Sequence, residues 1–165
     1  MALEFNLQAM SRHLVDKLHA ARASITITSG DQAFAKCDYG EPKVIVDWPY
    51  LSVQPIRKGR ELRGGGTRKF EIQFEIALVL YHGKVEDTLT IQEGAHERAE
   101  AIEVWLHSAA DVRPFKWNFV DTEASNDKVT FGFVDQLDHP IVIAPEDELW
   151  STSRLTLRAL SEEVF

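Results

Sequence analysis

Lys69-Phe70-Glu71-Ile72-Gln73-Phe74-Glu75-Ile76-Ala77-Leu78-Val79-Leu80-Tyr81 is the most regular stretch of the chain. Phe70, Ile72, Phe74, Ile76, Leu78 and Leu80 alternate without a fault against Glu71, Gln73, Glu75, Ala77, Val79 and Tyr81. A period of two places one set on each side of a β-strand, so one face is apolar. Typical strands run to about five or six residues. Residues 68–81, at roughly 3.3 Å each, would extend about 45 Å. A domain of 165 residues has a radius of gyration near ~15 Å, so one end of this strand is expected to project. An exposed strand end with apolar alternation is a liability unless another chain covers it. Phe70, Ile72 and Phe74 are therefore the candidate contacts with a second subunit. The plainer alternative is a strand that bends at a bulge and stays within its own domain.

Immediately upstream lies the strongest local charge. Residues 57–69 hold six cations (Arg57, Lys58, Arg60, Arg63, Arg68 and Lys69) against one acid, Glu61, in a chain of net charge −8. Gly64, Gly65 and Gly66 mark the tip of a hairpin spanning residues 50–81. The glycines do not form a phosphate-binding loop: no lysine–hydroxyl pair follows Gly66, and the loop leads into a strand rather than a helix. The six cations can touch DNA phosphates, which requires only positive charge and reach. They can equally meet an acidic patch on a neighbouring subunit, or simply be solvated.

Outward from the hairpin, Leu7, Met10, Leu14, Leu18 and Ala21 recur at helical spacing, and Asn6 is placed as a cap. This predicts a helix over residues 7–22. Residues 24–28 and 43–47 read as short β-branched strands, with a loop between them over residues 31–42. Extended chain resumes at Tyr50 and is expected to stop near Pro55. Thr90 and Glu93 read as a capping box opening a second helix, whose buried stripe is Ala95, Ala99, Ile102, Leu106 and Ala109. Strands are expected at residues 115–120, 129–134, 141–143 and 150–160. The fold class is α+β: a mainly antiparallel sheet in a single domain, with both helices on one face and the long hairpin projecting.

Composition narrows the function classes. With 44% hydrophobic and 27% charged residues the chain is an ordinary globular one. No segment approaches the ~20 apolar residues of a membrane-spanning helix, so no membrane partner is expected. The first residues lack the basic flank and apolar run of a secretory signal. The single cysteine, Cys37, excludes an internal disulfide, consistent with maturation in a reducing cytosol.

Candidate chemistry is thin. His96, Glu100, Glu103 and His107 share one side of the second helix at metal-compatible spacing, which is also how the wet face of any amphipathic helix looks. Cys37 has no histidine at a recognisable spacing. His13, His19, His82 and His139 pair with no Ser or Asp in a catalytic pattern. Trp48, Trp105, Trp117 and Trp150 read as core or interface anchors. No enzymatic activity, metal or cofactor is expected.

The order of these elements resembles the tail terminator (tail completion, or neck) proteins of tailed bacteriophages. The resemblance is carried by the N-terminal helix, the strand Pro49-Tyr50-Leu51-Ser52-Val53-Gln54-Pro55, the basic glycine-rich hairpin, the long strand from Lys69, the helix over residues 91–107 and a final strand from Trp150. It spans nearly the whole chain, while residues 111–149 are longer than in a typical member. The resemblance implies a structural virion protein, located in the tail or neck and assembled in the host cytoplasm. It implies a homohexameric ring that caps the tail tube protein, joins the head–tail connector and passes genomic DNA through a channel. The basic hairpin would then line that channel or dock onto a neighbouring subunit. Another neck component, or a small nucleic-acid-binding domain using the basic hairpin, stands as the alternative.

Overall fold

The computed structural model describes residues 7–62, 69–84, 88–108, 129–143 and 150–164. Its elements run α1 (Leu7–Ala21), a 3-10 turn at Arg22–Ser24, β1 (Lys36–Tyr39), β2 (Tyr50–Leu62), β3 (Lys69–Lys84), α2 (Thr88–Ser108), β4 (Val129–Ile143) and β5 (Trp150–Val164). The five strands form one sheet in the order β1-β2-β3-β5-β4. Only β1 runs parallel to its neighbour; β2, β3, β5 and β4 are successively antiparallel. The α+β class and the mainly antiparallel sheet are as expected.

Both helices pack on one face. The register sets Leu51 opposite Leu80 and Val53 opposite Leu78, with Leu155 and Leu157 on β5 opposite Leu78 and Ile76. These side chains form one core with Met10, Leu14 and Leu18 of α1 and with Ala99, Ile102 and Leu106 of α2. The helical stripes foreseen from spacing are thus the buried ones, Ala95 included. The other face carries a smaller cluster of Ile45, Tyr50, Tyr81 and Trp150, with Trp48 against it. Trp150 stands edge-on to both Trp48 and Tyr81, with ring centres 5.7 and 5.6 Å apart.

Several local expectations are corrected. Residues 24–28 make no strand: a 3-10 turn is followed by a single bridge, Thr26 to Gln32. The parallel slot beside β2 is taken by Lys36–Tyr39, inside the expected loop, and not by residues 43–47. Side-chain chemistry decides this, because Tyr50 Oη donates to Asp38 at 3.1 Å and Ser52 Oγ to the Gly40 carbonyl at 2.5 Å. The strand from Tyr50 does not stop at Pro55. Ile56 bulges out between Pro55 and Arg57, and pairing resumes as far as Leu62.

The second helix already begins at Thr88, so Thr90 lies in its first turn rather than capping it. The strands expected separately at residues 129–134 and 141–143 form one irregular strand over residues 129–143, with a register shift between Asp138 and Ile141. The Asn6 cap, the glycine tip, Ala109 and the strand at residues 115–120 lie outside the described residues.

Candidate functional site

The hairpin does not project as a free pair of strands. β5 pairs with β3 along its whole length, from Trp150 opposite Lys84 to Val164 opposite Lys69, so the long hairpin expected to project is part of a wider sheet. What extends is the sheet itself. At roughly 3.3 Å per residue, the 16 residues of β3 span about 50 Å. At ~1.5 Å per residue, the 15 residues of α1 and 21 of α2 reach only about 22 and 31 Å. Neither helix is long enough to cover the sheet from end to end. Among the described residues, the row packed beneath them begins at Phe74 on β3 and Ala159 on β5.

Phe74 was expected at a subunit contact. It is instead 2% exposed and inside its own chain's core, in the cluster that holds the buried residues of both helices. Phe70 and Ile72 continue the same register row, opposite Leu62 and Arg60 of β2.

The basic segment is also placed differently from expectation. Arg57, Lys58 and Arg60 lie in paired β2, not in a solvated tip, and Lys69 opens β3 opposite Val164. Arg63 and Arg68 lie outside the described residues. Pairing brings Glu75 of β3 against Arg57 from 18 residues away, which local charge counting cannot foresee. Arg57 Nε and Nη2 each donate to Glu75 at 2.8 Å, and Arg158 Nε of β5 reaches the same carboxylate at 2.9 Å. Those hydrogen bonds, Arg57 first, hold the Glu75 carboxyl below its ordinary range. Beyond them, Glu61, Glu71 and Glu162 occupy directly facing positions on β2, β3 and β5.

Over this cluster opens a depression of about 500 Å³, lined by Arg57, Lys58, Gly59, Gln73, Glu75 and Arg158 together with Phe74, Ala159 and Leu160. Among the described residues no serine, threonine, cysteine or histidine lines it. It is a surface of hydrogen-bond donors around one carboxylate.

The other candidate groups are used structurally. His96 bonds Glu100 within α2 at 2.9 Å, and both are exposed. His107 turns away, its Nε2 accepting the Val134 N–H of β4 at 3.1 Å. Among the described residues no group of three or more His, Cys, Asp and Glu is placed to hold a metal. Cys37 is buried in β1, and burial, then Asp38 and Asp16, push its thiol far above the range of a reactive thiolate.

One pair escaped the sequence: His82 Nε2 lies 2.7 Å from Ser153 Oγ. The residues are 71 positions apart and no motif joins them. Serine hydrogen-bonded to imidazole is nucleophile chemistry in an open cleft. Here His82 is 3% and Ser153 0% exposed, which denies a substrate entry. The pair satisfies polar groups within the sheet.

No protein-family model matches the chain, and no curated protein matches it.

Proposed function

We propose that this chain is a structural protein of a tailed-bacteriophage particle, a tail terminator whose copies form a ring that caps the tail tube and joins it to the head connector. The observation that carries this reading is the mismatch between a sheet about 50 Å long and helices that reach about 22 and 31 Å. A sheet that outruns its own helices offers a surface to other subunits. The resemblance to the terminator family rests on the order of elements, and the elements of this chain run helix, strands, long hairpin, helix, strands.

The same geometry would serve another neck or head–tail joining component. A nucleic-acid-binding domain is the weaker reading, since Glu75 holds two arginines in a protein of net charge −8. As a ring, the chain would need no catalytic group. Phosphate contact in the channel would fall to the cations of the hairpin not held by Glu75, and would weaken steeply with salt.

The test is assembly of tail tubes with and without the purified chain, followed by electron microscopy. Ring-shaped density at tube ends and arrested tube length support the terminator. Rings that bind the connector but leave tube length unaltered support another neck component. Failure to bind either tubes or connectors overturns both.

A further inference from the structure

Two features on opposite sides of Tyr50 match one another. The first is the outer edge of β2. β1 covers it only from Tyr50 to Val53, and the Gly40 N–H to the Val53 carbonyl closes that contact. From residue 54 to residue 62, β2 has a single neighbour among the described residues, β3 on its inner side. The open length carries Arg57, Lys58 and Arg60 against Glu61. Pro55 and the Ile56 bulge interrupt it, as edges that avoid indiscriminate pairing are interrupted.

The second feature is the segment Lys43-Val44-Ile45-Val46-Asp47. Val44 is 75% and Val46 81% exposed, while Ile45 between them is 9% exposed and packs on Tyr50, Tyr81 and Trp150. Exposure alternating with period two is the mark of extended chain. Its β-branched residues favour a strand, yet it belongs to no strand and makes no backbone hydrogen bond to another described residue. Ile45 anchors it, and two valines face water. Exposed Glu41 precedes it and exposed Asp47 ends it, against one exposed cation, Lys43, so the stretch from 41 to 47 carries a net −1 opposite to the charge of the open edge of β2.

We infer that residues 43–47 of one copy add as a strand to the open edge, residues 54–62, of the next copy. The two surfaces differ, so the contact is head-to-tail, and repeated head-to-tail contacts close into a ring when the rotation allows. Acids meeting cations set the orientation, and the valines leave water. This inference rests on the ring reading and names the contact that would build it.

The test uses the full chain. Val44→Glu with Val46→Glu alters side chains that touch little of the fold, so circular dichroism and melting temperature stay near wild type. Light scattering should show the wild-type assembly reduced to the 18.7 kDa monomer, with at least a tenfold weaker association. Independently, chains bearing Val46→Cys are mixed with chains bearing Gly59→Cys or Glu61→Cys and mildly oxidised. Gly59 accepts a side chain, since the nearest atom to a built Cβ is the Gln73 carbonyl at 4.0 Å. Cys37 is buried. A mixed cross-linked dimer supports the contact. Val46→Cys chains that link only to themselves indicate a symmetric contact and overturn it. Assembly that survives the double glutamate variant, with no mixed cross-link, overturns this contact while leaving the ring. A wild-type chain that is monomeric at every concentration, and still monomeric when mixed with tail tubes, overturns both.

Discussion

Arg57 donates from Nε and Nη2 to the two oxygens of Glu75, at 2.8 Å each, while Arg158 holds the same carboxylate from the opposite neighbouring strand at 2.9 Å. One glutamate thus ties three strands together, beside Phe74 and Ala159 of the core. It also neutralises Arg57, the first cation of the most basic segment of the sequence.

That arrangement has a pH signature. Glu75 is held below its ordinary 4.5 by the Arg57 hydrogen bonds. A carboxyl lowered in the folded state contributes stability above its unfolded value and loses it as pH falls from there through the folded value. Urea midpoints of the wild type should therefore drop between neutral and acid pH. Glu75→Gln should lower the midpoint at pH 7 and flatten the acid dependence. An unchanged dependence would mean the triad adds nothing.

His107 and Val134 join α2 to β4 by one hydrogen bond between a ring nitrogen and a backbone N–H. His107→Ala leaves a partly buried N–H without its acceptor, at a cost of about 1 kcal/mol. Hydrogen exchange at Val134 should accelerate, while Val53, on the far side of the sheet, should keep its protection.

Core and surface substitutions should separate by face. Leu78 is fully buried beneath both helices, and Leu78→Ala should cost about 2–5 kcal/mol in chemical denaturation. Val104 is 64% exposed on α2, and Val104→Ala should stay within about 0.5 kcal/mol. A small effect at Leu78 would mean that the helices do not close on that row.

The parts of the fold legible in the sequence are those with one clean period. β3 alternates because one side meets helices and the other does not, and α1 and α2 show their stripes because each packs on a single surface. Legibility ended where pairing is decided far away. Residues 43–47 have the composition of a strand, but the available edge is held by Lys36–Tyr39 through Asp38 and Gly40. The alternation of Leu51 and Val53 breaks at Pro55 because Ile56 is an extra residue, so the strand reads as ended when it is only bulged.

The same limit applies to the candidate site. The cations are visible in the sequence, whereas their compensation by Glu75 requires the register. The His82–Ser153 pair has no local signal at all. Phe74 looks like the rest of its row in the sequence, and only the folded packing shows that it belongs to the core.

Everything proposed for this chain turns on whether its sheet is completed by other copies. Sedimentation equilibrium from sub-micromolar to hundreds of micromolar protein addresses that in solution. A closed species several-fold heavier than 18.7 kDa, dissociating in favour of monomer only on dilution, is the expected result. A single 18.7 kDa species across the whole range, still monomeric when mixed with tail tubes, would end the ring proposal.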